Sequence, residues 1–416
     1  MVAGEDVFIV GSGMTGLGKF ADRAVRDLAG AALGKALADA GLADSSAIEA
    51  AWFSNTRQAL LEGQNGIRGE VALRPNGISG IPITNVENAC ASGSTAFANA
   101  FAFLKAGLGE VALVIGAEKM FFPENREGMF RAFKGSTDVL TFDRQIDALL
   151  SLAEGMPIPE GVEPAAERSV FMDIYAAFAR YHMARYGTTQ KQIAAVAAKN
   201  HHHSTMNPDA QYQFDMSIEQ VLADKPVSWP FTRAMCAPIS DGAAAMVLCT
   251  RSALKRFDSA RAVRVGACAL VSALDREPDD IDNHVGRRAA LKAYEFAGLG
   301  PEDMSVAEVH DATAFAEILQ IENLGFCARG EGGPMTESGA TALGGKIPVN
   351  PSGGLLSKGH PVGATGIMQL HELATQLRGE AGARQVSGAR WAIAENGGGF
   401  LGYEEAATTV TILGRE

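Results

Sequence analysis

The segment Val25–Leu42, VRDLAGAALGKALADAGL, finds an echo far downstream in Arg287–Leu299, RRAALKAYEFAGL. In the first copy Val25, Leu28, Ala29, Ala32, Leu33, Ala36, Leu37 and Ala40 recur at the spacing that lines one apolar face of a helix. Gly41 stops that helix, Leu42 and a polar run follow, and the apolar stretch Ala50–Phe53 suits a buried strand. In the second copy Ala290, Ala293, Tyr294 and Ala297 form the face, Gly298-Leu299 the stop, and Val306–His310 the strand. The same order of helix, Ala-Gly-Leu and strand, used twice, reads as an internal duplication.

The correspondence extends outward. A strand precedes each copy, Val7–Val10 and Val263–Val265, and each half carries a second glycine-rich turn leading into a helix. The first turn, Cys90-Ala91-Ser92-Gly93-Ser94, runs into Ala96–Lys105 and the strand Val111–Ile115; the second, Gly359-His360-Pro361-Val362-Gly363-Ala364-Thr365-Gly366, runs into Met368–Leu377. This alternation predicts an α/β fold of parallel strands covered by helices. Between the halves the pattern weakens into a Met-, Phe- and Arg-bearing stretch and then helices over Phe171–Tyr186 and Gln190–His203, an insertion suited to a lid or substrate platform. The predicted division is 1–118 with 238–258 as the first half, 119–237 as the inserted loop domain, and 259–416 as the second half.

Composition narrows the function. With 47% hydrophobic and 20% charged residues, the 416-residue chain has the balance of an enzyme-like globule and not of a disordered one. A net charge of −12 opposes nonspecific binding to nucleic acid or anionic membrane. No uninterrupted apolar run approaches the roughly 18 residues of a membrane span, and acids stand near the N-terminus where a secretory signal carries bases, so a soluble cytoplasmic protein is expected. Cys90, Cys236, Cys249, Cys268 and Cys327 are widely spaced and lack CxxC pairs, which suggests neither a disulfide framework nor a zinc cluster.

Several motifs compete. Gly11-Ser12-Gly13-Met14-Thr15-Gly16 matches a dinucleotide fingerprint, but further turn residues follow it and the next strand, near residue 50, is followed by Ser54 instead of an acid, so a tight structural turn is preferred. His201, His202 and His203 point three ways on a helix and read as a solvated helix end, and Arg126, Arg131 and Lys134 as a wet surface. Cys90 is stronger, because a sulfur where a turn opens into a helix faces unpaired N–H groups that favour thiolate. His360, held between Gly359 and Pro361, suits a general base, and His310-Asp311 ends a strand where it can supply a donor to an oxyanion. If a pseudo-twofold axis relates the halves, these turns face one another as an acyl-transfer apparatus.

These residues resemble those of thiolases, most closely the sterol-carrier-protein type, over nearly the whole chain. Asn88–Gly93 resembles the nucleophile loop, Lys199-Asn200-His201 through Asn207-Pro208 the middle region, and Ser240–Ala245 the motif closing the first half. Asn350–Gly366, NPSGGLLSKGHPVGATG, is specific to that family. The resemblance implies a duplicated five-layer α-β-α-β-α architecture, usually dimeric, that takes coenzyme A thioesters as substrates and holds no tightly bound cofactor or metal. It implies that Cys90 is acylated and that His360 activates first Cys90 and then the coenzyme A thiol. His310 would help hold the thioester oxygen or its water, Asn396 is a catalytic candidate at the place of the Cys-x-Gly cysteine, and the Cys90 and Gly398 N–H groups would form a second oxyanion hole. Ser240, Ser357 and Gly359 fall in coenzyme A-facing motifs, and bacterial and archaeal relatives often associate with a small OB-fold, zinc-ribbon protein.

Two departures stand out. The subfamily's His-Asp-Cys-Phe reads His310-Asp311-Ala312-Thr313, and the Cys-x-Gly loop of other thiolases reads Asn396-Gly397-Gly398, so both forms of the second thiol are missing. Glu395, Asp311, His310 and Cys236 are the ionisable alternatives, and the sequence leaves the choice among them open. The implied reaction is thiolytic cleavage of a 3-oxoacyl-CoA, or the reverse Claisen condensation, in lipid metabolism such as β-oxidation. Simple acyl transfer, decarboxylative condensation and a coenzyme A ester-binding subunit that needs a partner protein are the alternatives.

Overall fold

The structure is a computed structural model that describes residues 4–415. Among the described residues eleven strands are formed: β1 Val7–Met14, β2 Ala50–Ser54, β3 Ile83–Val86, β4 Val111–Glu118, β5 Pro226–Ser228, β6 Phe231–Thr232, β7 Gly242–Thr250, β8 Val263–Ser272, β9 Val306–Glu308, β10 Trp391–Gly398 and β11 Ala407–Gly414. Nine join one mixed sheet in the order β3-β2-β4-β7-β1-β8-β11-β10-β9, and β5 pairs with β6. β1 and β8 pair only at Phe8↔Arg264 and Ile9↔Val263, so the sheet is two halves joined at a narrow seam.

Read outward from that seam, β1-β7-β4-β2 of the first half matches β8-β11-β10-β9 of the second, and the duplication is visible in the topology. The expectation of parallel strands is corrected. Only β2–β3, β2–β4 and β9–β10 are parallel, because the last strand of each half, β7 or β11, runs antiparallel beside the first. The 399–406 connection between β10 and β11 is too short for the crossover of about a dozen residues that a parallel pair requires.

Period-2 alternation separates the layers. Val7, Ile9, Ala112, Val114, Ala392 and Ala394 face inward onto the buried helices Ser92–Lys105 and Thr365–Arg378. On the first half's outer face, Phe8, Val10, Leu113 and Ile115 pack on the helix Val25–Asp39. On the second half's outer face, Ile393, Val410 and Ile412 pack on the helix Val285–Ala297. Five layers result.

Two local expectations also change. Gly11 and Gly13 lie inside β1 and not in a turn, and a Cβ on Gly11 would stand 2.5 Å from the Ala36 carbonyl oxygen. The glycines let strand and helix approach closely and form no phosphate cradle. His202 is exposed, but His201 and His203 are buried, so the predicted solvated helix end holds for one of the three histidines. In the 119–237 segment, Ile174, Val196 and Phe231 share a core with Phe315, Leu356 and Phe400 of the second half, which seats this segment over the sheet ends.

Candidate active site

The two central helices begin against one another. A Cβ on Gly93 would lie 3.0 Å from the Gly363 carbonyl oxygen, and one on Gly366 only 2.5 Å from both the Ser94 nitrogen and Asn396 Oδ1. Glycine at these positions lets the Cys90 turn and the His360 turn meet. Ala89 holds φ of +48°, a left-handed conformation costly for a residue with a Cβ. It is kept there by Ser92 Oγ, which accepts from the Asn88 N–H at 2.8 Å and donates to the Ala89 carbonyl at 2.6 Å. The turn thus lifts Cys90 ahead of the helix.

Glu118, fully buried at the end of β4, clamps the same region from the first half. It accepts from Asn55 Nδ2 at 2.9 Å, the Thr56 hydroxyl at 2.7 Å, the N–H groups of Thr56 and Arg57 at 3.0 Å each, and the Gly363 N–H at 2.9 Å. Glu118→Ala would strand several buried donors at about 1–3 kcal/mol each. Since such losses are not additive, about 3–5 kcal/mol of stability should disappear in urea unfolding. A loss below about 1 kcal/mol would show that water replaces the clamp.

Cys90, His310 and His360 converge, with one ligating atom of each lying within 4.8 Å of the others. The imidazole rings stand edge to face, centroids 5.2 Å apart. Their tautomers follow from their partners. The Thr365 hydroxyl donates to the Pro361 carbonyl at 3.0 Å, so at 2.7 Å it accepts from His360 Nδ1–H, which leaves Nε2 as a free base. Ser94 Oγ lies 2.7 Å from Asn396 Oδ1 and 3.0 Å from the Ala91 carbonyl oxygen; with its one proton on the shorter bond, Asn396 Oδ1 accepts, the amide NH2 donates to His310 Nδ1 at 3.0 Å, and Nε2–H of His310 is left as a donor. One ring offers a lone pair and the other a proton. A metal would need lone pairs from both, so the set fits an acyl-transfer reaction better than an ion.

Burial governs the charges. It pushes the Cys90 thiol up to about 11, with nearby Arg57 opposing. It also brings His310 down to about 3, and pushes His360 well below the ordinary histidine value, helped by His310 and Arg57. Enclosure thus works against the helix-end preference for thiolate and favours thiol and neutral imidazole at rest.

The trio opens into a cavity of about 180 Å³ whose wall includes Arg57, Phe133, Phe171, Tyr175, Cys236, Ala312, Gly397, Gly398, Phe400 and Glu405. Gly398 packs on the nucleophile turn, where a Cβ would sit 2.9 Å from the Cys90 nitrogen. Ser240, Ser357 and Gly359 stand behind this wall. Ser240 Oγ accepts from the His360 N–H at 3.0 Å, Ser357 Oγ bonds Ser204 Oγ at 2.6 Å, and Gly359 takes φ of +122°. They hold the turn without bordering the cavity. Arg57, Tyr175, Phe400 and Glu405 were missed in the sequence. Arg57 carries no motif but follows the buried strand end at Ser54, a position at which a charged residue is a signal.

Comparison with known proteins agrees with this geometry. The thiolase N-terminal domain family matches residues 7–226 and the thiolase C-terminal domain-like family residues 270–415. Sterol carrier protein 2 of Homo sapiens is 37% identical over 97% of this chain and 73% of its own. Acetyl-CoA acetyltransferase of Methanothermobacter thermautotrophicus is 36% identical over 96% of this chain and 97% of its own. Among solved structures, the Ltp2-ChsH2(DUF35) aldolase matches with a TM-score of 0.78 at 22% identity, covering 100% of this chain and 99% of that chain. Human mitochondrial 3-ketoacyl-CoA thiolase in complex with CoA matches at 0.68 and 17% identity, covering 99% and 98%. At such identities these structural likenesses concern the fold.

Proposed function

The chain belongs to the thiolase family and is a thiolase-like acyltransferase, and on that premise we propose that it cleaves a 3-oxoacyl-CoA through an acyl group carried on Cys90. The observation that carries this reading is the convergence of one sulfur with two imidazoles whose Nδ1 atoms are engaged by Thr365 and Asn396. His360 Nε2 takes the thiol proton as Cys90 Sγ attacks the 3-keto carbon. The oxyanion developing on the 3-keto oxygen receives the backbone N–H groups of Cys90 and Gly398, while the Nε2–H of His310 meets the thioester oxygen, which takes up negative charge as the bond between C2 and C3 breaks. Collapse breaks the bond between C2 and C3, leaves the acyl group on Cys90, and gives the electron pair to C2 of the departing shorter thioester, which is then protonated. Coenzyme A attacks the acyl-enzyme with His360 as base, and its thiol proton ends on Cys90.

The ring-lined wall of Phe133, Phe171, Tyr175 and Phe400 supports an apolar acyl group. Coenzyme A is taken here as a substrate. A second copy of the chain and a small OB-fold, zinc-ribbon protein are the proposed partners, the latter in keeping with a structurally similar chain whose assembly is an Ltp2-ChsH2(DUF35) aldolase. Among the described residues no helix is long and apolar enough to cross a membrane. The test is mass analysis after acid quench. Incubation with a 3-oxoacyl-CoA should add one acyl mass to the Cys90 peptide, and turnover with that peptide unmodified would remove the assignment.

A further inference from the structure

The second thiol of the family is missing, yet a buried acid lies beside its place. Glu405, on the connection between β10 and β11, is 3% exposed and borders the same cavity as Cys90 and His310. Its Oε1 accepts from Gln320 Nε2 at 3.0 Å, while its Oε2 is buried with no hydrogen-bond partner among the described residues. The nearest basic group to Oε2 is His284 Nε2 at 3.7 Å, an imidazole that burial, then Arg276, Arg329 and Arg288, hold well below its ordinary value and so neutral.

A second carboxyl adjoins it. Glu395 is fully buried; its Oε2 accepts the His310 backbone N–H at 3.1 Å, and its Oε1 also has no partner among the described residues. The two acids flank Gly397, where a Cβ would fall 2.7 Å from Glu405 Cγ and 3.4 Å from Glu395 Oε1. Burial first, then the charge of Glu405, holds the Glu395 carboxyl well above its ordinary value, so Glu395 adds little negative charge beside Glu405. Burial first, then the charge of Glu404, raises Glu405 to about 7, with Arg276 opposing. The alternatives are occupied or poorly matched. Asp311 is spent on the Leu355 N–H at 2.7 Å and Asn200 Nδ2 at 2.8 Å, and burial pushes the Cys236 thiol to about 12.

Resting on the acyl-Cys90 reading, we propose that Glu405 is the acid that protonates the departing α-carbon and, in condensation, the base that deprotonates it. When the bond between C2 and C3 breaks, C2 takes the Glu405 proton and becomes the α-carbon of the released thioester, leaving Glu405 as carboxylate. The proton that His360 took from Cys90 passes to that carboxylate, which restores both groups before coenzyme A enters.

The test separates carbon–carbon cleavage from thiol exchange in the intact protein. Cleavage of a 3-oxoacyl-CoA should fall about 100-fold or more in Glu405→Gln, the scale of a lost general acid. Exchange of labelled coenzyme A into a simple acyl-CoA, which moves no α-proton, should fall far less, and Glu405→Asp should regain part of the cleavage. Parallel loss of both activities in folded Glu405→Gln and Glu405→Asp proteins, or cleavage that persists in Glu405→Gln, overturns the role of Glu405. A wild-type protein that turns over without acylating Cys90 instead overturns the underlying reading.

Discussion

Cys90→Ala is expected to lower cleavage by about 10⁴-fold or more, because removing a covalent nucleophile removes the intermediate itself and not one contact to it. The protein should stay folded, since a half-buried thiol is lost from the wall of an existing cavity and no packed core is opened. The ionisation of the same sulfur gives an independent check. With the thiol raised to about 11 and its partner imidazole depressed, the sulfur of the free protein is protonated at neutral pH. Alkylation of Cys90 by iodoacetamide should therefore be slow near pH 7 and still climbing at pH 9 to 10, because the thiolate fraction grows until the raised value is passed. A plateau below pH 8 would show a standing thiolate, and the proton transfer to His360 would then precede substrate instead of accompanying attack.

What was legible in the sequence follows a pattern. The helix Val25–Asp39 was readable because a face buried on one side writes its period into the chain, and the strands at Val7, Ala50 and Val111 because burial on both faces makes each a short apolar run. Strand direction was not, because such a run reads the same beside parallel and antiparallel neighbours, and only the brevity of the 399–406 connection forces β11 back beside β10. The meeting of Cys90, His310 and His360 was foreseen from glycine-rich turns at matched places in the two halves. Their protonation was not, since a helix end is visible in sequence and the enclosure that works against it is not. His201 and His203 were misjudged for the same reason: the helix is covered on that side by Asn350 and Ser357, more than a hundred residues away. Glu405 has no periodicity or motif to mark it, and it matters only because β10 and β11 fold Gly397 against it.

The donor role of His310 depends on Asn396, and this makes the sharpest case. Asn396→Ala frees Nδ1, so the ring no longer has a fixed tautomer, and losing the assigned oxyanion donor should cost about 10²–10³ in kcat. Asn396→Asp behaves differently. An ionised carboxylate at that position accepts from Nδ1–H, which turns the bare Nε2 lone pair toward the developing negative charge, so at high pH this variant should be at least as impaired as the alanine. When protonated, the same carboxyl can donate to Nδ1 and restore the Nε2–H. Burial at this position raises the carboxyl, so protonation falls within an accessible pH range. Relative to wild type, kcat of Asn396→Asp should then rise as pH falls, while the ratio for Asn396→Ala stays flat. A flat ratio for both, or an aspartate variant within a few-fold of wild type at every pH, would mean that His310 is held by its burial and not by this amide, and the assignment of opposed tautomers around Cys90 would fail with it.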